Sequence, residues 1–262
     1  MAAAQPDFAT VTVWLVPLTA LGHAETTDYR RLISTEEHAR WERFRVADAA
    51  LQFLVGRALM RAAVGEHTGT AATDLSFAYT VYGKPYVADP PPARGLPCNV
   101  SHTQGIVACA IGDGCTPGVD VEPVERDLAI QRISRAYFAR REQEALEAAA
   151  PDERQKLFLQ TWTLKEAYIK ACGRGLSIGL DSFRVSPGSS AATIEFDANT
   201  DDDPRRWQLA TVAVDNEHQL AVAAQCPVHD TAAQIELRWT IPRVDDAGRT
   251  HLKTLKAQTV TP

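Results

Sequence analysis

The chain is predicted to be an α+β protein, with helices packed on mostly antiparallel sheets, and three observations predict it. Helical and strand-like patterns come in blocks and not in strict alternation, which disfavours a doubly wound parallel sheet. The combination of helices and strands occurs twice along the chain. Between the two occurrences, Gly112-Asp-Gly-Cys-Thr-Pro-Gly118 breaks both periodicities. The reading is therefore two similar halves, residues 1–116 and 117–228, followed by an extension, 229–262, with a ligand cleft between the halves.

Thr10 to Leu18 alternates around Val11, Val13 and Leu15 and reads as a strand. Ser34-Thr-Glu-Glu37 is a capping box and opens a helix through Phe44. A second helix runs from Asp48 to Val64 and is expected to stop at Gly65. Leu75 to Val81 is strand-like, Tyr82-Gly-Lys-Pro-Tyr86 is a turn, and Asp89-Pro-Pro-Pro-Ala93 is a stiff connector. Two strands, Pro97–Ser101 and Ile106–Ile111, flank His102-Thr-Gln-Gly105. After the boundary come a short strand at Gly118–Glu122 and helices at 130–137, 141–149 and 153–172. Strands follow at 182–185, 193–196, 208–214 and 219–224. The tail is expected to add one strand, Ile235–Ile241, and then to be polar and mobile.

At 262 residues and 28.6 kDa the chain can bury a core without staples. No apolar run is long enough for a membrane helix, and Met1 to Asp7 lacks the basic start of a signal peptide. The net charge of −6 disfavours general nucleic-acid binding. One stretch departs from that balance. Arg30, Arg31, Arg40, Arg43, Arg45, Arg57 and Arg61 outnumber Asp28, Glu36, Glu37, Glu42 and Asp48, an island that could seat a small polyanion or merely line solvated helix faces. Five cysteines without a C-x-x-C pair are expected to be reduced thiols of a cytoplasmic protein.

Asp120 and Glu122 lie two apart on a strand, so both carboxylates share a face. Adjacent acids repel unless a cation lies between them, and oxygen ligands suit Mg²⁺ or Mn²⁺. A solvated strand edge is the competing reading. Trp162, Glu166 and Lys170 recur every four residues and share one helix face. Glu166 could complete a metal site or take a proton; a surface ion pair with Lys170 would look the same. Lys165 lies about 100° around the helix and need not share that role. Asn99-Val-Ser-His102 places a hydroxyl and an imidazole at a strand end, suited to a phosphate or to local turn bonds. No P-loop and no G-x-S-x-G is present.

The order of these clusters is more specific than any one of them. Y-G-K-P, N-V-S-H, G-V-D-V-E, W-T-L-K-E-A-Y-I-K and G-R-G-L-S-I-G-L-D-S-F follow one another over roughly residues 30 to 225. In this the chain resembles the 4′-phosphopantetheinyl transferases of the surfactin-synthetase-activating type. The resemblance implies a monomeric pseudodimer of two similar subdomains with coenzyme A between them. It implies that Asp120, Glu122 and Glu166 hold Mg²⁺ against the pyrophosphate and that Lys170 contacts that pyrophosphate. Ser101 and His102 would meet the 3′-phosphate end, Lys84 and Pro85 would lie near the adenine, and Arg40 would take a basic phosphate-binding position. Glu142 matches a further acid of the pattern, and Arg57 is a further basic candidate. Glu166 is the expected base toward a carrier-protein serine. The implied partners are apo acyl or peptidyl carrier proteins, recognised through an acidic helix by the arginine-rich half. Two other readings keep the same residues: a non-catalytic coenzyme A-binding or carrier-docking module, and a metal-dependent nuclease, which the acidic balance disfavours.

Overall fold

The structure is a computed structural model that describes residues 8–125, 129–189, 191–198, 200–229, 231–245 and 249–260. The first half opens with strand β1 (Ala9–Pro17), then helices α1 (His23–Arg30), α2 (Thr35–Trp41) and α3 (Ala47–Thr68). A hairpin of β2 (Ser76–Tyr79) and β3 (Pro85–Asp89) leads to β4 (Cys98–Thr103) and β5 (Ile106–Asp113). The second half runs β6 (Thr116–Pro123), α4 (Ile130–Tyr137), α5 (Arg140–Ala148) and α6 (Pro151–Cys172). It continues with β7 (Phe183–Ser186), β8 (Ala191–Phe196), β9 (Trp207–Ala213) and β10 (His218–Gln225). Two long strands close the chain, β11 (Ala233–Val244) and β12 (Thr250–Val260).

Two five-stranded sheets result, ordered β12-β11-β1-β5-β4 and β6-β10-β9-β8-β7. Only the β1–β11 ladder is parallel among these pairings. Each sheet turns one face to the other. Val11, Val13, Ile106 and Ala108 from the first interleave with Val119, Val121, Leu220 and Val222 from the second in one shared core. The outer faces carry the helices. Leu54, Leu59 and Val64 of α3 pack on Val107 and Cys109, and Leu164, Ala167 and Ala171 of α6 pack on Ala221 and Ala223. The arrangement is therefore helix, sheet, sheet, helix, and the α+β class and the pair of similar halves stand.

Several boundaries differ from the pattern reading, each for a physical reason. α1 carries too few apolar residues to show a helical stripe; only Tyr29 is buried on it. The capping box at Ser34 is present, with Ser34 Oγ accepting from Glu37 N–H and Glu37 Oε2 accepting from Ser34 N–H, but its helix ends at Trp41. α3 runs through Gly65 to Thr68 and stops at Gly69, whose φ of 72° suits glycine. Gly65 serves close packing instead: a Cβ there would come within 2.7 Å of Thr70 O. The tail is not a frayed end. β11 inserts beside β1 and carries β12 on its other edge, while Ile235, Leu237 and Val260 join the shared core.

Candidate active site

The site forms where the β4 edge of one sheet meets the β6 edge of the other. No ladder joins these two strands; side chains do. Asn99 Oδ1 accepts from Val119 N–H at 2.9 Å, and Ser101 Oγ accepts from Val121 N–H at 3.3 Å. Alternation then sorts β6. Val119 and Val121 go into the shared core, while Asp120 and Glu122 face the other side, toward α6. Gly118 lets α6 come close, since a Cβ on it would fall 2.0 Å from Ala167 O and 2.5 Å from Ala171 N. Those two backbone atoms flank the turn that carries Lys170. Sheet and helix therefore meet through backbone, and Glu166 and Lys170 stand over Asp120.

Asp120 is 4% exposed. Lys170 Nζ donates to its Oδ1 at 2.6 Å and to Ser101 Oγ at 2.9 Å, and the Ser101 hydroxyl donates to the same Oδ1 at 3.1 Å. Asp120 Oδ2 is buried with no hydrogen-bond partner. A buried carboxylate oxygen without a donor is costly. Glu166 is pushed up to about 7 by burial and by the Asp120 and Glu122 charges, against the opposing pull of Lys170. Glu166 thus shares one field with both acids of β6.

The donor set is three carboxylates, one of them with an orphaned buried oxygen, and it fits a hard divalent cation. As the side chains lie, no three His, Cys, Asp or Glu groups among the described residues are gathered closely enough to hold an ion, and Lys170 takes one Asp120 oxygen. Asp120, Glu122 and Glu166 are the residues that would hold such an ion.

Beside them opens a cleft of about 340 Å³ lined by Tyr82, Lys84, Pro85, Asn99, Glu166 and Lys170, among others. Lys84 reaches across it and donates to Ala171 O at 2.9 Å, its ammonium pushed down by burial. His102 is exposed at the β4 end, close enough to feel the charges of Lys170, Arg57 and Asp120. Ser101, by contrast, is buried, and its hydroxyl is occupied within the protein. Seven of the expected residues are thus gathered at this seam with Glu122 on its β6 edge.

Arg40 is not among the cleft-lining residues. It stacks on Phe53, 5.3 Å from the ring centre, and lines a separate hollow of about 440 Å³ with Glu36, Arg43, Arg61 and Tyr79. The arginine island is partly consumed by the fold. Arg61 Nη2 pairs with Glu37 Oε2 at 2.7 Å, and Arg57 lies 3.5 Å from the same carboxylate. Glu142 is also engaged within the protein. It pairs with Lys165 at 2.8 Å and accepts from the Ala139 and Val185 backbone, while Lys165, fully buried, also donates to Leu180 and Phe183 carbonyls. The sequence pattern hid this pair because Lys165 lies on the apolar side of α6. The bracing by Asn99, the fit at Gly118 and the imidazole of His218 were also unread. His218 sits at 3.0 Å from Asp215 and 2.8 Å from Gln104 O, tying the β4–β5 turn to the second half.

The family profile described as 4′-phosphopantetheinyl transferase superfamily matches residues 116–223, and that described as 4′-phosphopantetheinyl transferase, N-terminal, matches residues 23–112. The 4′-phosphopantetheinyl transferase HetI of Nostoc sp. is 31% identical over 64% of this chain and 70% of its own length. The 4′-phosphopantetheinyl transferase Sfp of Bacillus subtilis is 30% identical over 79% of this chain and 88% of its own. The chain belongs to the 4′-phosphopantetheinyl transferase family. It is a transferase, and the carboxylates and the lysine at the seam lie on segments inside the superfamily match. Among the described residues no helix is long and apolar enough to cross a membrane.

Proposed function

We propose that the chain moves the 4′-phosphopantetheine arm of coenzyme A onto a serine of an apo acyl or peptidyl carrier protein and releases adenosine 3′,5′-bisphosphate. The observation that carries this reading is the convergence of Asp120, Glu166 and Lys170 at the edge of a cleft that Lys84 also lines. Coenzyme A would lie in that cleft, its pyrophosphate toward Lys170 and its adenosine end toward Lys84, Pro85 and the exposed His102. Ser101 would act from beneath, holding Asp120 and Lys170 in place.

The reaction needs an oxygen nucleophile at a phosphorus that already carries negative oxygens. Lys170, at the seam, would meet the pyrophosphate and lower that repulsion. Mg²⁺ or Mn²⁺ held by Asp120, Glu122 and Glu166 would neutralise the remaining charge and steady the leaving bisphosphate. Glu166 suits the base. Burial and the Asp120 and Glu122 charges raise its basicity in the metal-free protein, and a Glu166 oxygen not taken by the metal would accept the serine proton. As the serine oxygen bonds to phosphorus, the bond to the bisphosphate breaks and the proton rests on Glu166.

The chain divides functionally at residues 116 and 117, each half supplying one wall, and works as a monomer because both walls are in one chain. The reading places the protein in the cytoplasm, in keeping with five unpaired thiols. The test is incubation with coenzyme A, Mg²⁺ and an apo carrier domain, followed by mass measurement of the carrier. Transfer adds one phosphopantetheine unit. An unchanged carrier mass alongside tight coenzyme A binding would convert the assignment to a silent docking module.

A further inference from the structure

Two of the five free cysteines face each other across the end of a ladder outside the cleft. β10 and β6 pair antiparallel with Gln225 opposite Thr116. One further step in the same register sets Cys226 opposite Cys115. The Cys226 N–H donates to Arg206 O at 2.8 Å and its carbonyl accepts from Arg206 Nε at 3.3 Å. Both backbone groups of Cys226 therefore turn toward β9 and away from Cys115. Opposed residues that exchange no backbone bonds have Cα atoms about 4.5 Å apart with side chains close together. That lies within the window, roughly 4.4–6.8 Å, in which a disulfide forms without moving the backbone. Both side chains are buried in the shared core, close enough to feel each other, and the Cys115 thiol donates to Thr10 O at 3.7 Å.

We propose that Cys115 and Cys226 are a modification site of this protein, closing in the folded chain to an intramolecular disulfide by exchange with a low-molecular-weight disulfide. The neighbouring Cys115 thiol and the Arg206 charge hold the Cys226 thiol below its ordinary range against the opposing effect of burial, so Cys226 supplies the attacking thiolate. It bonds to one sulfur of the small disulfide and expels the other as a thiolate. Cys115 then loses its proton, attacks the Cys226 sulfur and expels the second small thiolate. The protein gives up two protons and two electrons, and the small disulfide becomes two thiols. Both thiols are buried, so the small disulfide reaches them when this end of the ladder opens locally.

The other cysteines are internal controls. On the β4–β5 ladder Cys98 opposes Ile111 and Cys109 opposes Val100, so those two are only diagonal neighbours. The pair is five residues from Asp120 along β6, about 16 Å of strand, so the cross-link closes apart from the carboxylates.

The full-length protein would be incubated folded with oxidised glutathione, alkylated in denaturant and mapped by mass spectrometry. The expected result is one cross-linked peptide joining Cys115 to Cys226, reversed by dithiothreitol. A rise in unfolding temperature should accompany it in the wild type and be absent in Cys226→Ser. Cys115→Ser should instead trap glutathione on Cys226. Five alkylated thiols after oxidation, or cross-links spread to Cys98 and Cys109, would overturn the proposal. The wild-type map decides even where a variant does not fold.

Discussion

Glu166 is the residue on which burial, charge and chemistry meet. Replacing it by glutamine keeps its shape and removes both its charge and its basicity. Glu166→Gln is expected to lower turnover about a hundredfold to ten-thousandfold, the range of a lost general base, while coenzyme A binding by calorimetry stays near that of the wild type. Unimpaired turnover would remove Glu166 from the mechanism. The same group sets a stability signature in metal-free protein. Its folded pKa, about 7, lies above the ordinary 4.5, so the folded state binds this proton more tightly than the unfolded state does. The associated stability is complete below about 4.5 and is lost as pH rises through 7. Without metal, the unfolding temperature of wild type relative to Glu166→Gln should therefore fall across that window, and added Mg²⁺ should reverse the fall. A difference that does not change with pH would mean that Glu166 is not held in the shared field. This site was legible in the sequence at Asp120, Glu122, Glu166 and Lys170 because period two and period four put each pair on one face. Ser101 was readable as a polar group at a strand end but not as a brace. The donors that engage it, Lys170 and Val121 N–H, come from parts of the chain 69 and 20 residues away.

At the scale of elements, the site depends on how closely α6 approaches β6. That approach is set by Gly118, where an added Cβ would strike backbone atoms of α6 at 2.0 and 2.5 Å. Backbone cannot rotate out of the way as a side-chain tip can. Gly118→Ala should therefore shift α6 outward, at a cost of roughly 1–3 kcal/mol, as for other overpacked sites. The displaced turn carries Lys170 and follows Glu166, so the effect on transfer should exceed the effect on folding. Thermal unfolding measured beside kcat and KM for coenzyme A checks this. A well-folded variant with unchanged constants would show that the helix tolerates displacement. In the sequence this glycine read as part of a motif, with no means of seeing which helix it admits. The helix itself was read to within two residues of its start at Pro151 and to its last residue, Cys172, where Gly173, at φ 68°, closes it. α1 was not, since its single buried residue leaves no periodicity to detect.

At the scale of the molecule, the last thirty residues decide whether the first half is a complete unit. A polar strand such as β12, exposed along most of its length, offers only weak alternation, so the tail read as an appendage beyond Ile241. In the fold β11 is an interior strand, paired to β1 on one side and β12 on the other. Tyr29 is fully buried and its hydroxyl donates to Pro242 O at 2.8 Å, and Arg243 pairs with Glu25. Removing the chain after Ala232 would strip β1 of a seven-residue ladder, expose Val11 and Val13 where Ile235 and Leu237 now cover them, and leave the Tyr29 hydroxyl without its acceptor. An uncovered apolar edge strand is a template for aggregation. The truncated protein is expected to be insoluble or to unfold without a cooperative transition, although both family profiles end before the tail begins. Soluble expression, circular dichroism melting and the carrier mass assay on the 1–232 fragment test it together. A fragment that melts cooperatively and still loads the carrier would make β11 and β12 dispensable, and the two halves could then stand without the strand that now completes the first sheet.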